Sequence, residues 1–488
     1  MNSVESFVET MNHYIWLIVP WVLIGAGVYF AVRTFFVQVR YVPDMIRSVS
    51  EKNTSEDSHT DDEGISAFKA FCISAAARVG TGNIVGVAVA ISAGGPGAVF
   101  WMWMIAIIGG ATAFVESTLA QLWKVKEADG TYRGGPAYYM TKGLGLKGLA
   151  TCFAIAITIT YGFVYNSIQA NSITEAIGTS INNSGLGFRA TVGLVLAVIT
   201  GIIIFGGIKR IANFTQVIVP VMALLYLGMG LVVLILNISH VPAMFAEIVT
   251  HALGIREIAG ATLGAAFQYG MRRGLFSNEA GQGSAPNAAA TASVSHPVKQ
   301  GLVQTLGVYF DTLLVCSITA FIILLSSPTY TGAEQEGAPL AQRALAQEVG
   351  GFGIHFITLI LFFLAFSSVI GNYYLAQANV EYFTQSRKAL TVFRVLVVLC
   401  VFGGAIGSVN LVWSLGDTFA ALMVFINVIA IVPLGGVAVK LLRNYSQQKR
   451  KGVDPVFHRD MLPEVKNIEV WDGSDPVTRR GGAVVTEV

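Results

Sequence analysis

The chain has 488 residues, 54% hydrophobic and only 12% charged, with a formal net charge of +2. Soluble domains carry about 25% charged residues, so the composition excludes an ordinary soluble fold, and nothing in the near-zero charge suggests a nucleic-acid surface. Fifty-two glycines suit a close-packed helical bundle, and the four cysteines, without CxxC spacing, are predicted to be buried free thiols.

The apolar residues fall in blocks of the length that crosses a bilayer, about 20 residues per helix. In chain order they predict about eleven transmembrane helices, at 13–37, 66–93, 97–122, 149–178, 189–206, 213–237, 257–280, 300–326, 352–383, 391–409 and 413–441. The start, MNSVESFVET, has no positive charge before the first block, which is therefore predicted to be a retained helix and not a cleaved signal. The segment 51–63, EKNTSEDSHTDDE, is predicted to be a flexible acidic linker. Residues 1–443 form one membrane domain in this reading, and 444–488 a polar, solvated cytoplasmic tail.

Lys and Arg alternate between the loops. Arg40, Arg47, Lys52, Lys124, Arg133, Lys209, Arg210, Lys299, Arg387 and the basic residues after Arg443 fall on one side; Arg189, Arg256 and Arg343 fall on the other. Basic loops stay in the cytoplasm. An odd number of spans then puts the N-terminus outside and the C-terminus in the cytoplasm.

Two spans break the rule that a membrane helix satisfies its own backbone. In the first, CISAAARVGTGNIVGVAVAISAGGPGAVF, residues Gly80-Thr81-Gly82-Asn83 invite unwinding at mid-membrane. Unwound turns there are tolerated where freed amides and carbonyls face a cavity or ligand. In the second, residues 260–286, an apolar helix runs into Arg272, Arg273, Asn278, Glu279 and several glycines. Phe267, Gly270 and Met271 stand where that helix should unwind, and are candidates to wall a side-chain pocket or to fill the core. The two breaks open two sets of five spans, 66–237 and 257–441. An all-α integral membrane protein follows, with one N-terminal helix at 13–37 plus a 5+5 inverted repeat.

Other polar groups lie within spans. Ser367 and Ser368 can offer oxygens to a hard cation, or bond back to their own helix. Gln169 needs a buried partner. Glu116, Asp311 and Glu381 are costly intramembrane acids, read as gate or scaffold salt bridges. Glu116 is expected to pair either with Arg78, just before the first break, as a gate ion pair, or with the Asn278-Glu279 of the second segment. The seven histidines show no ligand spacing, and no nucleophile elbow or phosphate loop is present, so no enzyme is expected.

ARVGTGNIVGVAVAISAGGPGAVFWMW, YRGGPAYYM and RGLFSNEAGQGSAPNAA closely resemble the alanine or glycine:cation symporter family, the sodium:alanine symporters, over about residues 14–460. The resemblance implies a leucine-transporter-type fold and symport of Na⁺ with a small neutral amino acid, alanine or glycine, across the bacterial inner membrane. No cofactor is implied; Na⁺ is the coupling ion. It also implies that Thr81, Gly82 and Asn83 hold the substrate, with Gln169 facing it, and that Ala76, Val79, Leu364, Ser367 and Ser368 hold sodium. Asn372 stands where many alanine-type members carry Trp, which implies a roomier, more polar pocket and keeps glutamine open as a substrate. A proton-coupled carrier remains the rival within transport, and an amino-acid-gated channel or sensor the rival outside it.

Overall fold

The computed structural model describes residues 2–51, 65–128, 130–255, 262–328, 330 and 337–479. The acidic linker after Glu51, Arg256, and the side chains of Lys209 and Arg210 lie outside the described residues. Apart from one two-residue β-hairpin, Val125–Lys126 with Tyr132–Arg133, the regular structure is helical.

The helices in chain order are α1 (Asn2–Arg33), α2 (Val37–Arg40), α3 (Val42–Ser50), α4 (Ala67–Arg78), α5 (Val87–Gly94), α6 (Gly97–Leu122), α7 (Pro136–Lys142), α8 (Lys147–Ile159), α9 (Tyr165–Ile181) and α10 (Leu186–Ile204). They continue as α11 (Gly207–Leu236), α12 (Val241–Ala252), α13 (Leu263–Asn278), α14 (Ala285–Ala289), α15 (Pro297–Val308), α16 (Ser317–Leu325), α17 (Ala338–Val349), α18 (Phe352–Phe383), α19 (Arg387–Ile406) and α20 (Val409–Arg450). Three π-helical turns join neighbours: Gly82–Gly86 before α5, Thr160–Val164 between α8 and α9, and Tyr309–Cys316 between α15 and α16. Such turns leave the regular ladder and often mark functional positions.

Nine helices among the described residues are long and apolar enough to span a bilayer, or ten if the bent pair α4–α5 counts as one span. The eleventh expected span, 257–280, is represented by α13, which has 16 residues and carries Arg272 and Arg273. It is too short to cross unaided, because the chain leaves the helix after Asn278. Hydroxyl caps set several starts: Ser66 accepts from Lys69 N at 3.2 Å, Thr262 from Ala265 N at 3.1 Å and Ser408 from Leu411 N at 3.3 Å.

α20 runs 42 residues, about 63 Å at 1.5 Å per residue, so it projects well beyond a core of about 30 Å. The segment after it corrects the expectation of a solvated tail. Phe457 N donates to Ser295 O at 2.8 Å, Trp471 Nε1 to Gln121 O at 3.1 Å, and Trp123 Nε1 to Lys466 O at 3.1 Å. Tyr132 OH donates to Asp475 Oδ2 at 2.7 Å. Phe457 and Trp471 are buried, and the Lys124 ammonium sits 4.0 Å from the Tyr132 ring and 4.7 Å from the Trp471 ring. A few aromatic anchors in a polar segment thus strap it to the ends of α6 and α7 and to residues 291–296; isolated anchors leave no periodic pattern to read.

The cysteine expectation holds in part. All four are free, and Cys72 and Cys316 are buried, but Cys152 is exposed and Cys400 half-buried; their helices turn these positions outward.

Candidate functional site

The first break stands where the sequence places it. α4 ends at Arg78, and α4 and α5 meet at 52° across a break of three residues and the π-turn. The freed groups take partners from outside the helix. Gly80 N donates to Asn83 Oδ1 at 2.8 Å. Thr81 N and Thr81 Oγ1 both donate to Gln169 Oε1, at 3.0 and 2.6 Å. Gly80 is obligatory: a Cβ there would collide with Ser368 Oγ and lie 3.0 Å from Gln169 Oε1. Gly82 is nearly so, since its Cβ would lie 3.1 Å from Phe276 and 3.2 Å from Ser277 Cα.

α18 closes one side. Gly371 lets it approach the backbone of Ala76 and Ala77. Ser368 Oγ lies 3.4 Å from Val79 O and 3.1 Å from Leu364 O, and Ser367 Oγ donates to Leu364 O at 2.8 Å. Four of the five expected cation ligands therefore converge between α4 and α18, and Ala76 lies in the same crossing. All are oxygen donors, as a hard cation requires. One turn further on, Asn372 is buried and neither its Oδ1 nor its Nδ2 has a partner.

Asp311, expected in a gate or scaffold salt bridge, instead takes neutral partners and joins the two broken segments. Its carboxylate is fully buried in the third π-turn and accepts from Asn83 Nδ2 at 2.7 Å, Ser277 Oγ at 2.7 Å and Thr312 Oγ1 at 2.8 Å. Cys316 Sγ lies beside the same Asn83 and Ser277 atoms, at 3.3 and 3.1 Å. A buried carboxylate keeps such partners because an unpaired one would be costly.

Three expected pocket residues are elsewhere. α13 does not unwind at Gly270; it continues to Asn278 and breaks over Glu279–Ser284. Phe267 therefore lies in an aromatic group with Trp21 and Trp101, at centroid distances of 5.4 and 4.9 Å. Gly270 packs on α6, where a Cβ would meet Ala98 O and Trp101. Met271 is a buried core residue. The residues of α13 that reach the first break are Phe276 and Ser277, nearly two turns later. Arginines inside the helix mislead the reading, since they look like its end.

The expected Arg78–Glu116 ion pair is also absent. Arg78 Nη1 donates to Gln304 O at 3.3 Å, its Nε and Nη2 have no partner, and it forms no ion pair among the described residues. Glu116 instead holds the second break: it accepts from Gly281 N at 3.2 Å and from Asn427 Nδ2 at 2.7 Å. Around the same loop, Asn427 Nδ2 donates to Gly281 O at 3.0 Å, Ser284 Oγ to Glu279 Oε2 at 2.6 Å and Gln282 Nε2 to Tyr165 OH at 2.7 Å. Glu381 forms an ion pair with Arg133 at 2.7 Å.

On the face where α20 begins, a cavity of about 430 Å³ lined by Glu9, Glu175, Arg273, Trp413 and Ser414 leads inward. Arg273 Nη2 contacts Asp417 Oδ2 at 2.8 Å and its guanidinium covers the Trp413 ring at 4.8 Å. Trp413 stacks on Phe276 at 5.0 Å, and Phe276 abuts Gly82. The cavity thus reaches Val85 of the π-turn, and an ion pair and two rings stand between it and Gly82. Sequence reasoning missed these residues; Asp417, an acid inside the last apolar block, was the available signal.

A bent, unwound helix crossing a hydroxyl-bearing helix is the arrangement expected of a secondary transporter, and the shape agrees. Over 78% of this chain and 98% of the other, the fold matches the crystal structure of MhsT in complex with L-phenylalanine, with a TM-score of 0.52 at 13% identity. The model of the sodium:alanine symporter family matches residues 1–459, and the chain belongs to that family. It is 46% identical to the amino-acid carrier protein AlsT of Bacillus subtilis (96% of this chain, 98% of the relative) and 47% identical to the probable sodium/glutamine symporter GlnT of the same organism (97% of each). It is 35% identical to the sodium/alanine symporter AgcS of Methanococcus maripaludis (91% of this chain, 98% of the relative). The protein is a multi-pass, sodium-coupled amino-acid symporter and not an enzyme.

Proposed function

We propose that the protein carries alanine or glycine into the cell with Na⁺, by alternating access in the plasma membrane. The observation that carries this reading is the oxygen cluster at the first break. Na⁺ sits between the carbonyls of Ala76, Val79 and Leu364 and the hydroxyls of Ser367 and Ser368, and no other cofactor takes part. The amino acid sits beside it, its carboxylate on the Thr81–Asn83 backbone and Gln169, and its side chain toward Phe276. Na⁺ organises the unwound turn for the amino acid, and the coupling is reciprocal: each ligand tightens the other by the same factor. The face bearing the C-terminal segment is cytoplasmic, which leaves the N-terminus and the cavity at the start of α20 outside.

The test is uptake of radiolabelled alanine into proteoliposomes under an inward Na⁺ gradient, with K⁺ as control and unlabelled glycine as competitor. Sodium-driven accumulation that glycine blocks supports the reading; sodium-independent uptake sinks it.

A second reading, glutamine as substrate, is favoured by Asn372. Its buried carboxamide lacks both a donor and an acceptor partner, and a substrate carboxamide supplies both. The same uptake assay with labelled glutamine separates the two, and Asn372→Trp should abolish glutamine uptake while sparing that of glycine.

A further inference from the structure

Arg33, Arg40, Arg443 and Arg450 line one cavity of about 210 Å³ between the α1–α2 turn and the last turns of α20. Arg33 donates to Tyr29 OH at 2.6 Å and Arg40 to Phe35 O at 3.2 Å, contacts that neutralise no charge. None of the four forms an ion pair among the described residues. Their basic neighbours differ: Lys449 pairs with Asp44, and Lys299 with Glu51 and Asp454, at 2.9 Å each. Among the described residues, acids thus pair with Lys449 and Lys299 beside this cavity and not with the four arginines inside it.

Beside the cavity the ends of α1 and α2 expose apolar side chains, of which Phe35 lines it. Val32, Phe35, Phe36 and Val39 are 57%, 65%, 53% and 57% exposed. Phe35 and Phe36 both take left-handed backbone, φ 52° and 56°, which bulky residues rarely adopt. The turn they make joins the arginine-bearing ends of α1 and α2, so the exposed apolar residues alternate in the chain with Arg33 and Arg40. Four arginines at a membrane helix end, without an acid among the described residues, match a phosphate-bearing group. The adjoining apolar surface matches acyl chains, which a free anion lacks.

We propose that this cavity binds the headgroup of an anionic phospholipid of the adjacent leaflet, with its chains along Val32, Phe35, Phe36 and Val39. The lipid ties α1, which lies outside the repeat, to α20. The proposal is independent of which amino acid is carried.

The test uses the purified full chain in detergent, with phosphatidylglycerol added and binding read as a saturable rise in melting temperature. Phosphatidylcholine and inorganic phosphate should give no rise. Arg443→Gln with Arg450→Gln should weaken phosphatidylglycerol binding about thirty-fold, the weight of two basic groups at an anionic surface. The exposed pair Arg387→Gln with Lys388→Gln should leave it unchanged. Arg443→Lys with Arg450→Lys keeps the charge and should retain most of the binding, which separates lost charge from a folding defect. Equal stabilisation by phosphatidylcholine, reproduction of the shift by inorganic phosphate alone, or equal losses in both Gln pairs would overturn the proposal.

Discussion

The two broken segments start from the same device, glycines in an apolar helix, and end differently. At Val79–Thr81 the unwound backbone is held by neutral groups, Gln169, Asn83 and a single hydroxyl of α18, while a carboxylate reaches only the side chain of Asn83. These weak partners can yield to a ligand at little cost, since a neutral hydrogen bond is worth about 1 kcal/mol net. At Glu279–Ser284 the loop is sewn down by a buried carboxylate and by amides and hydroxyls from four other helices or turns. A charged acceptor is worth about 1.5–3 kcal/mol, and leaving its donors buried without it costs as much again. One break is therefore built to exchange partners and the other to keep them. Asp311 couples them, by taking Asn83 from the first and Ser277 from the helix that leads to the second.

The contrast is most easily broken at Gly80. Gly80→Ala puts a methyl onto Ser368 Oγ, so sodium-driven uptake should fall to background, while overpacking of about 1–3 kcal/mol leaves the protein folded in a thermal melt. Uptake near normal would mean that the first break is not the site. Ser368→Ala comes next: the sodium concentration for half-maximal uptake should rise about tenfold, equivalent to about 1.4 kcal/mol, with little change in melting temperature. A wholesale loss of stability at unchanged sodium affinity would instead give Ser368 a packing role. Glu116→Gln should reverse that pattern. It replaces an acceptor of two N–H groups by an amide, so stability should drop by about 1.5–3 kcal/mol with sodium affinity within a few-fold of normal. A large sodium effect would erase the distinction between the breaks. Smallest for transport should be Trp471→Ala: limited proteolysis should clip the C-terminal strap while uptake stays within about two-fold, because the strap touches neither break.

Much of the architecture was legible in the residues. Block length and loop charge give the spans, and the glycines flanking Thr81 give the first break, because a membrane interior forces backbone economy. The positions of Thr81, Gly82, Asn83, Gln169, Ser367 and Ser368 follow from the same logic and are brought together. Phe267, Gly270 and Met271 take the second of the two roles open to them, core packing, for a physical reason. Arg272 and Arg273 look like the end of a span, yet Asp417 supplies the anion that lets α13 continue, and that anion lies 144 residues away from Arg273 in the chain. The strap at 455–477 was not legible for a similar reason, since its burial depends on which surface happens to stand opposite Phe457 and Trp471.

By itself, then, the sequence determined that this is a membrane bundle with an unwound, ligand-ready turn, because solvation by lipid acts on each segment locally. Only the tertiary structure decided where the second helix gives way, which acid Arg273 meets, that Glu116 serves a loop and not Arg78, and that four arginines share one cavity. Those outcomes depend on pairings between distant segments, and the free energy of a buried charge is set by whatever the fold brings next to it.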